Sequence, residues 1–342
     1  MMKRAVFTTL VVVFCVAMAT PCYGEIVEGD RGRLDTLSYN LGANIGSGIK
    51  QQMREVDLDA ERIATGIVEA FAGKATMQLE EVLILLKSYF GATLNERYAE
   101  YKEVLKKRPK AKFNAFKSKG ERSGISYAVG VDMGTNVSKS KLPIQYYWLV
   151  EGFKDAWAGK TKFTEEQLMS YLNHYFTVVV PAENAKRSAM WLETVKNSDG
   201  VKATESGLLY KVVAEGEKSK AATSDDDVVK VHYVGRLQDG TVFDASRFEH
   251  WTKEHQARVR EQQPNLFDKQ GRYIQNKPVE FPLNRVIKGW TEGMKLIGPG
   301  GKIVLYIPAE LAYGDRGAGN EIGPNEALEF EVELIDVTPA KK

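Results

Sequence analysis

The chain has 342 residues, of which 47 are lysine or arginine and 45 are aspartate or glutamate. This balance lacks the basic excess of nucleic-acid-binding proteins, so the composition excludes a nucleic-acid partner from the expected functions. A chain of this length is expected to form two or three domains, each large enough to bury a hydrophobic core.

Residues 1–24 have the pattern of a secretory signal peptide. Lys3 and Arg4 precede an apolar run from Ala5 to Ala19, and small residues follow. The run of about fifteen residues is shorter than the roughly 20 that span a membrane, which favours cleavage over a retained anchor. We therefore expect export to the periplasm or the outer cell surface, and the sequence does not choose between these.

Both cysteines, Cys15 and Cys22, lie in this leader. Cleavage after Ala19 would leave one thiol and cleavage after Gly24 none, so no disulfide can form within the mature chain. Lipidation of Cys22 is disfavoured because the residues before it match a lipoprotein signal poorly. Removal of the two basic residues of the leader makes the mature chain formally neutral.

An internal duplication follows the leader. Leu37–Gly42 recurs as Ile125–Gly130 at an offset of 88, and Gly66–Lys74 recurs as Gly152–Lys160 at an offset of 86. Self-similarity of this kind indicates tandem copies of one structural unit.

Each copy has apolar residues at helical spacing with small residues beside them. The apolar stripes are Leu34, Leu37, Leu41, Ile45 and Ile49 in the first copy and Ile125, Val129 and Met133 in the second. The small residues are Ser38, Gly42 and Gly46, and then Ser126, Gly130 and Gly134. Because glycine costs roughly 1 kcal/mol inside a helix, its repeated use indicates that another backbone approaches closely. A flexible, poorly formed helix is the alternative.

Shorter helices are predicted in the rest of each copy. Gly73 and Gly159 are expected to end one helix, and Thr76 and Thr164 are expected to cap the next. A further helix, from Ala182 to Asn197, connects the duplication to the C-terminal region. Its side chains expected to face that region are Ala185, Ala189, Trp191, Leu192 and Val195.

The pattern of the C-terminal region is mainly that of β-strands. Strands are predicted over Val229–Leu237, Thr241–Asp244, Ile303–Pro308 and Leu328–Leu334, with a turn at Asp239-Gly240 and one good helix over Asn284–Leu296. The expected fold class is α+β, with an all-helical N-terminal half followed by a curved antiparallel sheet wrapped on one short helix.

Four motifs in this region resemble those of the FKBP-type peptidyl-prolyl cis-trans isomerases. They are VHYVG at 231–235, DGTVFDASR at 239–247, VIKGW at 286–290 and AYG at 312–314. The helical half resembles the N-terminal domain of the macrophage infectivity potentiator and FkpA-like group, which carries one such unit and dimerises through it. The domains would be the leader, a first repeat at 25–110, a second repeat with the connecting helix at 111–200, and an isomerase domain at 201–342.

The second unit is a departure from that group. Two halves in one chain can satisfy each other as two protomers do in a symmetric dimer. We therefore predict that residues 30–110 and 111–197 form an intramolecular pseudo-dimer, with a homodimer as the alternative.

The resemblance implies a proline-binding pocket in the C-terminal domain. Its catalytic residues would be Tyr233, Phe243, Asp244, Phe281, Val286, Ile287, Trp290, Tyr313 and Phe330. Arg247, Val279 and Ile322 would contact substrate at its edge. By the same resemblance, Trp290 is the floor under the proline ring, and the Ile287 N–H and the Tyr313 hydroxyl hold the substrate carbonyls. His232 alternates away from the Tyr233 face and is expected to be structural. Isomerisation needs no covalent intermediate, so no metal and no cofactor is implied.

An insertion at about 248–275 is the largest departure from the family pattern. Phe248, Trp251, His255 and Val259 fall at helical spacing within it. It is either an added surface that holds unfolded clients or a helix that packs its stripe on the domain. Smaller departures are found at Val279, Ala318 and Glu321. They weaken the expectation of macrolide ligands more than that of isomerase activity.

Two functions fit these features. One is an exported isomerase that accelerates the folding of unfolded, proline-containing clients, with the helical half as a chaperone cradle. The other is a scaffold that binds proline-containing segments without turning them over. The intact pocket residues favour the isomerase. A hydrolase is excluded because the chain has no nucleophile elbow, zinc-binding helix or cysteine–histidine arrangement.

Overall fold

The computed structural model describes residues 30–140, 142–319 and 321–340. The predicted signal peptide lies outside these residues. The described chain divides into two compact units, one ending at Tyr175 and the other beginning at Phe176. Within the described ranges, no helix combines the length and apolar character that a membrane crossing requires.

The first unit is entirely helical. Its helices are α1 (Asp30–Gln52), α2 (Ala60–Phe71), α3 (Leu79–Ser88), α4 (Leu94–Lys107), α5 (Lys119–Lys139), α6 (Tyr146–Ala158) and α7 (Glu165–His174). The long helices predicted from the two apolar stripes are confirmed as α1 and α5. Each of them packs against a short helix of the other copy, since α1 lies on α6 and α2 lies on α5.

Glycines make these helix crossings possible. A Cβ added to Gly42 would overlap the carbonyl oxygen of Leu149, and one added to Gly130 would overlap that of Ile63. A Cβ added to Gly152 would likewise overlap the carbonyl oxygen of Tyr39. The predicted close approach of two backbones is therefore confirmed, and the alternative of a poorly formed helix is wrong.

Polar contacts between the copies also occur in matching pairs. The Ser38 hydroxyl oxygen accepts the Gln145 N–H at 2.9 Å, and the Ser126 hydroxyl oxygen accepts the Asp59 N–H at 2.8 Å. These serines stand at equivalent positions of the two copies. The duplicated sequence thus makes the same contact twice, once in each direction.

The predicted caps are correct in the second copy and partly wrong in the first. Thr164 caps α7 by accepting the Gln167 N–H at 3.2 Å. The residue that precedes α3 is Gln78, whose N–H donates to Glu81 at 3.0 Å. Thr76 is not the cap, because its N–H and hydroxyl both donate to the Tyr127 hydroxyl, at 2.8 and 3.0 Å.

The second unit contains an antiparallel sheet. Its elements are α8 (Val180–Lys196), β1 (Lys202–Ala203), β2 (Leu209–Ala214), β3 (Val228–Leu237), β4 (Val242–Ala245), α9 (Lys253–Gln262), β5 (Val279–Pro282), α10 (Lys288–Gly293), β6 (Lys302–Ile307) and β7 (Leu328–Thr338). The strand order is β1-β2-β6-β7-β3-β4, and β5 also pairs with β3. The predicted strands are confirmed as β3, β4, β6 and β7, whereas β1, β2 and β5 were not predicted.

The helix predicted over residues 284–296 is shorter than expected. Only α10 is α-helical, and single 3₁₀ turns stand at Leu283–Arg285 and Met294–Leu296. Val286 and Ile287 are extended, as β-branched residues tend to be. The expectation of only one good helix in this region is also wrong, because α9 lies within the insertion.

Helix α8 confirms the predicted connecting helix but not its predicted buried face. Ala185 and Ala189 are exposed, and the fully buried residues are Asn184 and Ser188. Trp191, Leu192 and Val195 are half-buried. Helix α8 therefore packs on the sheet domain partly through polar side chains.

Candidate active site

Four aromatic rings form a compact cluster in the sheet domain. The Trp290 ring is at its centre, with centroid distances of 5.3 Å to Tyr233, 5.2 Å to Phe330 and 5.7 Å to Phe281. All three contacts are edge-to-face, with interplanar angles between 83° and 89°. This is a geometry that the aromatic quadrupole favours.

Four elements supply these rings, and Trp290 comes from α10. Tyr233 comes from β3, and Phe330 comes from β7, where it pairs with Gly235. Phe281 comes from β5, which pairs with the first half of β3. Because side chains alternate along a strand, Tyr233 and Gly235 share one face of β3. The pairing of β3 with β5 and β7, together with the alternation of side chains along each strand, therefore brings residues that are distant in sequence into one cluster.

Gly235 makes room for this cluster. A Cβ at this position would lie 2.7 Å from the ring of Phe243 and 2.8 Å from that of Phe330. Those two rings are in edge-to-face contact at 5.5 Å. The glycine of the VHYVG motif therefore lets Phe243 join the four rings.

A polar pair stands at the edge of the rings. The Tyr233 hydroxyl donates to Asp244 Oδ2 at 2.7 Å, and the Asp244 side chain is exposed. Burial first, and then the Asp244 carboxylate, raise the pKa of Tyr233. The hydroxyl therefore keeps its proton and remains a donor to Asp244 at neutral pH.

The remaining predicted pocket residues surround the rings. Val279, Val286 and Ile287 are half-buried and Ile322 is buried, and all four pack in the same apolar cluster as Trp290. Ile287 is extended and immediately precedes α10, so its N–H is not used within the helix. Tyr313 is 41 % exposed, and burial together with Asp244 raises its pKa.

Arg247 does not join the rings. Its guanidinium forms an ion pair with Glu333 at 2.7 Å. Glu333 is opposite His232 in the β3–β7 register, whereas Tyr233 is opposite Val332. Arg247 is therefore held on the face opposite to Tyr233, and its predicted contact with substrate is not supported.

His232 lies on that opposite face, as expected. Its Nδ1 is 3.1 Å from the Ser246 hydroxyl, which also accepts the Tyr233 N–H at 2.9 Å. Burial, more than any neighbouring charge, lowers the pKa of His232. A neutral, buried imidazole bonded to a serine has a structural role here.

The insertion folds around its own aromatic cluster. Phe248 stacks on Tyr273 at 4.7 Å and meets Phe267 at 5.2 Å, and the Arg260 guanidinium lies over Phe267 at 4.6 Å. The Phe248 N–H donates to Asn276 Oδ1 at 2.7 Å, which closes the insertion at its base. We call residues 248–276 the aromatic lobe.

The predicted helical stripe of the insertion is only half correct. Thr252 caps α9 by accepting the His255 N–H at 3.2 Å, so the helix contains His255 and Val259 but not Phe248 or Trp251. Phe248 is buried against the rings of the lobe. Phe267 and Tyr273 were not predicted, although four aromatic residues in one insertion are a signal of a local core.

Comparisons with known proteins agree with this geometry. Residues 219–335 match the family described as FKBP-type peptidyl-prolyl cis-trans isomerase. Residues 34–123 and 122–212 each match the domain amino terminal to FKBP-type peptidyl-prolyl isomerase. The N-terminal domain of that family is thus present twice in this chain.

The alignments with individual relatives extend over most of each relative's length. A probable FKBP-type peptidyl-prolyl cis-trans isomerase FkpA of Neisseria meningitidis is 36 % identical over 64 % of this chain and 76 % of its own. An outer membrane protein MIP of Legionella longbeachae is 32 % identical over 64 % of this chain and 87 % of its own. The crystal structure of FkpA from Escherichia coli shares 32 % identity over 66 % of this chain and all of its own, with a TM-score of 0.44. The chain belongs to the FKBP-type peptidyl-prolyl cis-trans isomerases.

Proposed function

We propose that this enzyme isomerises Xaa-Pro bonds in the pocket formed by Tyr233, Phe243, Phe281, Trp290 and Phe330. The observation that carries the proposal is the edge-to-face ring cluster with the Tyr233–Asp244 hydrogen bond at its edge. It provides an apolar aromatic surface with one defined polar contact.

The chemistry needs only the loss of amide planarity. The barrier to rotation about a peptide bond is about 20 kcal/mol. A twisted amide is less polar than a planar one, so a cavity that excludes water favours the twisted state over the ground state. A preference of about 5 kcal/mol would accelerate the reaction several thousandfold.

Each residue of the pocket then contributes to positioning the substrate. The Trp290 ring supports the proline ring, and the Ile287 N–H and the Tyr313 hydroxyl hold the substrate carbonyls. Asp244 fixes the Tyr233 ring through its hydroxyl. Val279, Val286 and Ile322 complete the apolar wall.

The single substitution Tyr233→Phe tests the polar contact. It keeps the ring but removes the hydrogen bond to Asp244, so kcat/KM for a short Xaa-Pro peptide should fall about fivefold, or ~1 kcal/mol. The matched control is Tyr101→Phe, which also removes a hydroxyl that donates at 2.8 Å, to the Ala111 carbonyl in the helical unit. Equal kcat/KM in the two variants would show that the contact with Asp244 does not assist catalysis.

We also propose that the enzyme is exported and acts on unfolded clients. The leader supports export, as does the name of the Legionella longbeachae relative. Exposed apolar side chains on the helical unit, among them Ile84 on α3 and Tyr146 and Tyr147 on α6, support its role as a client cradle. The reciprocal packing of α1 on α6 and α2 on α5 supports an intramolecular pseudo-dimer and hence a monomeric enzyme.

The aromatic lobe is proposed as an additional client surface. Its rings pack on one another, and Ile274 is 50 % exposed. Replacing residues 248–275 by a short glycine linker should leave peptide isomerisation within about twofold, because the lobe has its own core. The second assay uses a protein whose refolding is limited by isomerisation of a prolyl bond. The same deletion should reduce the enzyme's acceleration of that refolding severalfold.

Two comparisons make that experiment decisive. Ile274→Ser keeps the lobe and removes exposed apolar surface, so it should reproduce part of the loss on the refolding protein. Equal losses on the peptide and the protein would mean that the lobe supports the pocket and does not hold clients.

A further inference from the structure

Ser188 of the connecting helix α8 is bonded to the isomerase domain through every hydrogen-bonding position of its hydroxyl. It is 5 % exposed. It donates to the Asn325 carbonyl at 2.8 Å, and it accepts the Ala327 N–H at 2.9 Å and the Gln238 side-chain amide at 2.6 Å. A hydroxyl has one donor and two acceptor positions, so all three are in use.

Asn184 contacts the same stretch of chain one helical turn earlier. It is also 5 % exposed. Its side-chain amide donates to the Pro324 carbonyl at 2.9 Å, and its Oδ1 accepts a hydrogen bond from Arg187 at 2.7 Å. Arg187 in turn pairs with Glu326 at 2.8 Å. We call residues 323–327, which α8 contacts in this way, the anchor segment.

The anchor segment adjoins two predicted pocket residues. It follows Ile322 directly, and the Asn325 N–H donates at 2.8 Å to the carbonyl of Gly314, the residue after Tyr313. Asn325 has a φ of 57°, and it is the only non-glycine residue with a positive φ in the described part of the chain. Asparagine tolerates this conformation better than most residues, and surrounding contacts help to hold it. The bond from Ser188 to its carbonyl is one such contact.

We propose that Ser188 and Asn184 are positioning residues for peptidyl-prolyl isomerisation, acting through the anchor segment on Tyr313 and Ile322. Helix α8 then contributes to substrate binding by the isomerase domain, although the match to the isomerase family begins only at residue 219. The inference rests on the proposed pocket, in which Tyr313 holds a substrate carbonyl. An anchor that holds the substrate in both the ground state and the transition state affects KM more than kcat.

The test compares Ser188→Thr with Ser188→Val in the full mature chain. The two side chains have nearly the same shape and differ in the hydroxyl. We expect the valine variant to raise KM for an Xaa-Pro peptide five- to tenfold, with kcat within twofold of the wild-type value. Hydrogen exchange of the amides of Asn325 and Ala327 should also be faster. The threonine variant should resemble the wild type, as should Thr194→Val, which removes an exposed hydroxyl from the same helix.

Other results would overturn the proposal. If the two Ser188 variants have equal KM and equal exchange, the hydroxyl does not position the anchor segment. If exchange rises without a change in KM, α8 holds the segment but the segment does not serve substrate binding. Should Ser188→Val fail to fold, Asn184→Ala removes the donor to Pro324 and the acceptor of Arg187, and it must show the same changes at smaller size. The fall in kcat/KM for Tyr233→Phe tests the pocket separately, so failure of the pocket and failure of the helix contact are distinguishable.

Discussion

A variant carrying both Tyr233→Ala and Asp244→Val is expected to lose about a hundredfold in kcat/KM, or ~2.7 kcal/mol of transition-state stabilisation. Tyr233 is in ring contact with Trp290, Phe281 and Phe330. Removing its ring admits water to the cavity, and water favours the planar, more polar amide. The measurement is the cis-to-trans rate of a short Xaa-Pro peptide in the presence of the mature chain.

Stability must be followed in the same experiment. The Tyr233 side chain is buried, so its truncation also leaves a cavity that costs several kcal/mol. The rates should therefore be compared at a temperature at which circular dichroism shows both proteins folded. Asp244→Val alone is the control, because its exposed carboxylate contributes to the site and not to the core. A wild-type chain without activity would favour the scaffold function, with the aromatic lobe as the suspected cause.

Gly130→Ala is expected to destabilise the helical unit by about 3 kcal/mol or more, which is the upper range for overpacking. The new methyl group would overlap the Ile63 carbonyl, and a backbone atom cannot move aside as the end of a side chain can. Helices α2 and α5 must then separate, and the apolar residues between them lose contact. Urea unfolding followed by circular dichroism measures the effect.

The same helix provides the control. A Cβ at Gly124 has nothing within 4 Å, so Gly124→Ala should stabilise α5 by about 0.5–1 kcal/mol through helix propensity. Gly42→Ala should be as harmful as Gly130→Ala, since it overlaps Leu149 in the equivalent crossing. Equal stabilities of the Gly124 and Gly130 variants would contradict the interpretation.

Light scattering of the wild-type chain should give a monomer, and a stable dimer would contradict the pseudo-dimer.

Features that depend on local periodicity could be predicted from the sequence. The stripes at Leu37 and Ile125 predicted α1 and α5, and the glycines beside them predicted a close backbone partner. The alternation around Tyr233 separated the pocket face of β3 from the His232 face. In each case a pattern of a few residues determines which side of an element is buried.

Features that depend on distant partners could not be predicted in this way. Thr76 is a residue type that often caps helices, but its N–H and hydroxyl donate to the Tyr127 hydroxyl of the other copy. Phe248 fits a helical stripe, but Phe267 and Tyr273 offer it a closer apolar partner. Ser188 carries no apolar signal at all, and its importance appears only once the anchor segment is beside it.

The glycine crossings of the helical unit have both of their sides on one chain. Two separate chains joined by the same crossings would come apart on dilution by mass action. Partners tethered within one chain meet at a local concentration that the linker sets and that the amount of protein in solution does not change. The helical unit should therefore stay assembled at any protein concentration, however dilute.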